Sequence, residues 1–208
     1  MPTIQGVLRR GLTLEALKEF VLSQGASKAI TFMEMEKLWA VNKKVLDPIV
    51  PRYTAVAKEG KALFVMKGAP ESATAKSVPR HKKNPDLGNK VISMLNKIYL
   101  EAEDAKAIKE GEEITLMDWG NAIVEKKTQD ANGNITLEGR LHLEGNFKTT
   151  EKKLTWLPVV EDLIDVQLVE YDHLITKSKL DEDDDFKQFV NPASKIDVSD
   201  FVNVMINN

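Results

Sequence analysis

Pro48 and Pro51 divide the chain into two stretches whose apolar residues recur with different periods, so no single kind of element can serve both. Before them the pattern is helical. Thr13 is placed to cap a helix, and Glu15 falls in its positive first turn. Leu14, Leu17 and Val21 stand at i, i+3 and i+7, an apolar stripe backed by Phe20, and Gly25 is a natural stop. A second helix is expected from residue 34 to about residue 46, with Met35, Leu38 and Val45 on one face. Asp47-Pro48 ends it, because proline disfavours the helical conformation in the residue before it.

After Pro51 the runs become short, apolar and partly β-branched. Residues 53–57 and 62–66 flank Lys58-Glu59-Gly60-Lys61, which reads as a hairpin. Residues 68–88 are rich in Gly, Pro, Ala, Ser and Lys and read as a long loop, of the kind that carries function in compact domains. Strand-like runs recur at residues 90–100, 112–118, 122–128, 135–143, 153–157 and 166–174, with Asp130-Ala131-Asn132-Gly133 as a turn between two of them. Many short strands at this spacing point to closed or nearly closed β-barrels. The expected fold class is α+β, mainly β. It comprises a helical segment over residues 1–50, then two barrels, proximal and distal, over 51–208.

The charge pattern bears on partners. Residues 1–83 carry 15 Lys and Arg against 7 Asp and Glu, whereas the remainder carries 14 against 25, so a net charge of -3 hides a basic front end. Such a front end suits a polyanion, and a chance clustering of solvated charges is the alternative. No apolar run approaches the ~20 residues a membrane-spanning helix needs. There is no cysteine, which excludes disulfides and thiolate zinc sites and makes the cytoplasm the default compartment.

Catalytic patterns do not surface. No glycine-rich phosphate loop and no nucleophile elbow occurs. His81, His142 and His173 lie too far apart for metal-ligand spacing. Residues 181–185 are an unbroken acidic run, read as a solvated loop. A hydrolase built on it would need a desolvated pocket to tune its carboxylates. The residues favour a binding module.

Several strings resemble class I glutamyl- and glutaminyl-tRNA synthetases. Gly6-Val7-Leu8-Arg9-Arg10-Gly11-Leu12-Thr13 is similar to the segment that follows their catalytic core. Residues 38–54, which include Asn42-Lys43-Lys44 and Asp47-Pro48-Ile49-Val50-Pro51-Arg52, resemble the eukaryotic glutamyl enzymes. So do Arg80-His81-Lys82-Lys83-Asn84-Pro85, Asp118-Trp119-Gly120-Asn121, Leu154-Thr155-Trp156-Leu157 and Tyr171-Asp172-His173. The likeness spans roughly residues 2–195. Asn42-Lys43-Lys44 and Leu154-Thr155-Trp156-Leu157 look glutamyl rather than glutaminyl.

The resemblance implies helices against the inner side of the tRNA and two barrels at the anticodon. ATP, magnesium and glutamate would belong to a catalytic part upstream, whose motifs are not in this sequence. It further implies a monomer that binds the tRNA for glutamate, no cofactor in this stretch, and docking of other synthetase-complex proteins elsewhere in the longer chain. After Lys195 the family continues through further strands, and residues 201–206 are read here as one remaining strand. A glutaminyl counterpart and a freestanding barrel of the ribosomal type stay as alternatives, although the Leu8-Arg9-Arg10-Gly11 segment speaks against the latter.

Candidate tRNA contacts follow, each with a structural alternative. Arg9 and Arg10 would touch the inner face of the tRNA or serve as a structural pair. Asn42, Lys43 and Lys44 would meet the anticodon arm, or their charge would complement the helix dipole. Arg52 would bind phosphate or a carboxylate at the helix–barrel junction. Arg80, His81, Lys82, Lys83 and Asn84 form a basic loop that would track phosphates. Lys106 and Lys109 sit just before a strand, where the glutaminyl relatives contact the anticodon. Trp119 and Trp156 would stack bases or fill the core.

Overall fold

The computed structural model describes residues 3–28, 35–177 and 179–204. The chain divides into two compact units, one formed by Met1–Arg52 with Pro79–Asn89, the other by Tyr53–Val78 with Lys90–Asn208.

The first unit is helical. Three helices, α1 (Ile4–Arg9), α2 (Leu14–Ser23) and α3 (Met35–Leu46), enclose a small core of Val7, Leu12, Ala16 and Leu38. The expected caps are present. The Thr13 hydroxyl accepts the Ala16 N–H at 3.1 Å, and Gly25, at φ 72°, follows the last turn of α2. The face of α2 differs from the expected stripe. Ala16 is buried with Leu17 and Phe20 packed beside it, while Leu14 and Val21 are exposed. A stripe read from period alone is ambiguous by about one residue on either side; here the small Ala16 lets the helices approach. On α3 Leu38 is buried, but Met35 is exposed. Glu34, the expected first residue of that helix, lies outside the described residues.

The second unit is mainly β. Strands β1 (Ala55–Ala57), β2 (Ala62–Lys67), β3 (Thr74–Pro79), β4 (Asn89–Met94) and β5 (Lys97–Leu100) precede a six-residue helix, α4 (Ala102–Ala107). Then come β6 (Glu113–Leu116), β7 (Gly120–Gln129), β8 (Ile135–His142), β9 (Lys153–Leu154), β10 (Leu157–Pro158), β11 (Ile164–Tyr171) and β12 (Lys195–Val204). Seven strands form one sheet in the order β10-β5-β2-β8-β7-β6-β9. Its two edges, β9 and β10, are joined by Thr155 and Trp156 alone, so they lie within roughly 11 Å of each other. The sheet therefore curls until its edges nearly meet. Alternate residues point inward: Ala62, Phe64 and Met66 from β2, Ile98 and Leu100 from β5, Ile135 and Leu137 from β8.

The remaining strands make a two-stranded ladder, β3-β4, and a three-stranded sheet, β1-β12-β11. The described residues thus form one curled, half-barrel sheet and one open three-stranded sheet, in keeping with the expected α+β, mainly β class. The expected hairpin over residues 53–66 is not formed. Gly60 does turn the chain, at φ 69°, but β1 pairs with β12 while β2 pairs antiparallel with β5 and parallel with β8. Residues 68–88, expected to be a loop, contain β3 and a 3₁₀ turn at Pro85–Leu87. The run at 90–100 is two strands rather than one, and α4 had no counterpart in the sequence reading. The last strand was anticipated in part: β12 covers 195–204 and pairs with both β11 and β1.

Candidate nucleic-acid interface

In the first unit the C-terminal end of α3 and the basic loop are held together. The Arg52 N–H donates to the Arg80 carbonyl at 2.9 Å, and Asn84 Nδ2 donates to the Pro48 carbonyl at 2.6 Å. The loop closes on itself through Arg80 N–H to Gly88 O at 3.0 Å. Gly88 takes φ 68°, in the left-handed region where a side chain is strained. Asn84 also caps the 3₁₀ turn, its Oδ1 accepting the Asp86 N–H at 3.2 Å. Two cation-bearing segments some thirty residues apart are thus brought together: one carries Lys43, Lys44 and Arg52, the other Arg80, Lys82 and Lys83.

Most of these cations reach solvent. Lys43, Lys82 and Lys83 are exposed. Lys44 pairs with Glu19 at 3.1 Å, and Arg52 pairs with Asp47, all four side chains being largely exposed. Exposed pairs of this kind contribute less than about 1 kcal/mol, so a phosphate can exchange for the carboxylate. Arg80 is half-buried and donates through Nε to the Asn89 carbonyl at 3.1 Å.

Two candidates belong to the scaffold instead. Asn42 is only 5% exposed. Its Oδ1 accepts from the Thr13 N–H at 2.9 Å and the Thr13 hydroxyl at 3.1 Å, and its Nδ2 donates to the Gly11 carbonyl at 3.1 Å. It braces the start of α2 against α3 and has no face for RNA. Asn42→Ala would strand a half-buried N–H and carbonyl, and is expected to cost about 1–3 kcal/mol of stability by thermal unfolding. An unchanged midpoint would show the brace to be idle. His81 is likewise buried, 3% exposed, and its Nδ1 accepts the Lys83 N–H at 3.1 Å. It anchors the loop from beneath rather than meeting phosphate. Its Nε2 is, among the described residues, the buried side-chain polar atom without a partner.

Arg9 lies exposed in the last turn of α1, and Arg10 is half-buried at its C-cap. In the second unit Lys106 sits on α4 and pairs with Glu103 at 2.7 Å. Lys109 is exposed, and its N–H donates to Glu112 Oε2 at 2.8 Å. Trp156 is core: it is buried, with Nε1 donating to the Met117 carbonyl at 2.8 Å, and its ring lies 4.8 Å from that of half-buried Trp119. The acidic run is organised around a cation. Lys177 binds Asp181 and Asp184, which pushes the lysine up and holds Asp184 below the usual carboxylate range. Asp185 caps the 3₁₀ turn at Phe186–Phe189. A carboxylate held down by a lysine, as Asp184 is, does not suit a general acid.

A polar cluster near Lys109 had no signal in the sequence, because its members are spread over forty residues. Thr115 donates to Asn121 Oδ1 at 2.8 Å and shares a 2.6 Å hydrogen bond with Thr150. Glu113 Oε1 accepts from Asn121 Nδ2 at 2.9 Å and lies 2.7 Å from His142 Nδ1. Those two bonds, Asn121 first, hold the Glu113 carboxyl below its ordinary value. Burial pushes neighbouring Glu112 up, but its bond to Lys152 and the Lys109 N–H outweigh that and leave it low.

Known proteins sharpen the picture. Residues 50–144 match the family described as tRNA synthetases class I (E and Q), anti-codon binding domain. A cytoplasmic glutamate–tRNA ligase from Arabidopsis thaliana is 50% identical over 93% of this chain and 27% of its own length. A probable cytoplasmic glutamate–tRNA ligase from Schizosaccharomyces pombe is 47% identical over 100% of the chain and 29% of its own. A bifunctional glutamate/proline–tRNA ligase from Drosophila melanogaster is 44% identical over 95% of the chain, which is 12% of that protein. The chain thus spans less than a third of the relatives it matches. No described helix is long and apolar enough to cross a membrane.

Proposed function

We infer, from a chain whose residues 50–144 belong to the family of anticodon-binding domains of class I E and Q tRNA synthetases, that its function is to bind the tRNA for glutamate. The observation that supports this reading is the clasp between the end of α3 and the 80–88 loop, which brings two cation-bearing segments together. Flexible cations track phosphates and position an RNA without reading its bases. The names of the relatives support glutamate over glutamine and the cytoplasm as the compartment. As part of a longer ligase, this region would present the anticodon while ATP, magnesium and glutamate are handled elsewhere. It would act as a monomer with respect to itself and take no cofactor of its own. The bifunctional relatives support a setting in which further domains or synthetases lie alongside.

The test is binding of the purified chain to glutamate tRNA and to the same tRNA with an altered anticodon, across a series of salt concentrations. The expected result is an affinity that falls steeply with salt, with a preference for the native anticodon that survives at the higher concentrations. Absence of binding at low salt would overturn the reading.

A further inference from the structure

We propose that Lys61, on the outer face of the curled sheet, is a modification site whose amine takes an acyl group from an acyl phosphate. Lys61 immediately precedes β2, and its side chain falls on the face opposite the buried Ala62, Phe64 and Met66. Leu63 pairs with Tyr99 of β5, so Lys61 stands diagonally from Tyr99. Its Nζ lies 3.9 Å from the centroid of that ring. Tyr99 packs in turn on Val56 and Leu157, beside Val160 and Leu163, so the half-buried lysine closes one end of a small apolar cluster.

The carboxylates nearby are engaged elsewhere. Asp165 of β11 binds Lys58 at 2.9 Å. Glu101, which follows Leu100 at the end of β5, accepts the Ala57 N–H at 2.9 Å. Glu59 is exposed on the turn before β2. Among the described residues Lys61 is thus left with an aromatic ring and a second cation, Lys58, as its neighbours, and with no carboxylate at ion-pair distance. Lys44, Lys67, Lys106 and Lys177, in contrast, each hold a carboxylate. Burial and the Lys58 cation hold the Lys61 amine below the usual lysine range, with Asp165 opposing them. A lysine partly withdrawn from water and set beside another cation is an activated nucleophile, because more of it is neutral at ordinary pH.

In the reaction the neutral Nζ attacks the carbonyl carbon of the acyl phosphate. A C–N bond forms and the C–O bond to phosphate breaks. Phosphate leaves with the bonding pair, and Nζ releases one proton to water. Nothing is oxidised or reduced, and no further reagent is needed. Lys58 suits the leaving group, since its pair with Asp165 is exposed on both sides and can yield to a departing anion. The amide product carries no charge, so it gives up the attraction of the ammonium for the Tyr99 ring and lays apolar atoms over that ring instead.

The experiment treats the purified chain with acetyl phosphate and follows acetylation of each lysine by mass spectrometry of its peptides. At about pH 7.5 Lys61 is expected to react at least about fivefold faster than the exposed Lys97 and Lys148, because a lowered amine is neutral more often at that pH. The advantage should shrink toward about pH 10, where exposed lysines also lose their protons. It should vanish in urea, where the fold no longer sets the surroundings of Lys61. Lys58→Gln changes an exposed residue, removes the neighbouring cation and frees Asp165 for Lys61, so the advantage at about pH 7.5 should fall at least about threefold. Equal rates at Lys61, Lys97 and Lys148 in the folded wild type would overturn the proposal. So would an advantage that persists in urea or is undiminished in Lys58→Gln.

Discussion

Gly139→Ala is expected to lower the stability of the chain by about 3 kcal/mol, the upper end of the usual range for overpacking, and Gly139→Val by more. Gly139 lies in β8, the middle strand of the curled sheet, opposite Val124 of β7 on one side and Met66 of β2 on the other. A Cβ at this position would lie 2.1 Å from the Ile123 carbonyl oxygen and 3.1 Å from the Phe64 ring. Neither neighbour can give. The first is backbone in a ladder, and Phe64 is fully buried at the centre of the core. The register shifts between Val124 and Lys126 at the same point, so a bulge already brings the β7 backbone close. For a chain of this size, 3 kcal/mol corresponds to a fall in melting temperature of about 6–12 °C. Circular dichroism on Gly139→Ala, with the exposed neighbour change Glu138→Ala as reference, measures it. Equal midpoints for the two variants would mean that β7 and β8 separate at that register without cost.

Replacing Arg80, Lys82 and Lys83 together by alanine is expected to weaken binding of glutamate tRNA by about 100-fold at ~0.15 M salt. Each phosphate contact contributes roughly 0.7–0.9 to the slope of log affinity against log salt, so the slope should become shallower by about 2–3. The fold of the loop should largely survive, because His81, Asn84 and backbone hydrogen bonds still hold it once the Arg80 Nε bond to the Asn89 carbonyl is lost. Near-uniform weakening for native and altered anticodons is the expected signature, since phosphate contacts carry no base information. A triple variant that binds with the wild-type slope would remove this loop from the interface. Lys106→Ala, which takes away a cation already paired with Glu103 on the surface of α4, should have a much smaller effect.

Where local chemistry suffices, the sequence reading and the structure agree. Thr13 caps α2, Gly25 follows its end, Asp47-Pro48 stops α3, and Asp130 folds the turn between β7 and β8 by accepting the N–H groups of Asn132 and Asn134. The inward residues of β2 and β8 follow the strand period of two. Failures occur where a residue's role depends on a distant partner. Lys58-Glu59-Gly60-Lys61 is a real turn, yet the strands on either side go to different sheets. The basic loop was legible as a run of cations, but its union with α3 was not, because that union depends on an asparagine amide meeting the Pro48 carbonyl. Asn42 looked like a surface contact at the end of a helix, and became a brace once Thr13 and Gly11 were folded against it.

By itself the sequence therefore determined the helical start and mainly β remainder, the cap of α2, the stop of α3, the basic character of the front end and, through long similar strings, the likeness to class I glutamyl- and glutaminyl-tRNA synthetases. Tertiary structure alone decided which face of α2 is buried, which strands are neighbours, which cation-bearing segments meet, and that Glu113, Asn121, His142 and Thr150 come together. The physical reason is range. Capping, proline geometry and side-chain periodicity act within one or two turns of chain, whereas parallel pairing, burial and hydrogen-bond networks arise between residues far apart in sequence, and are set only when the core closes.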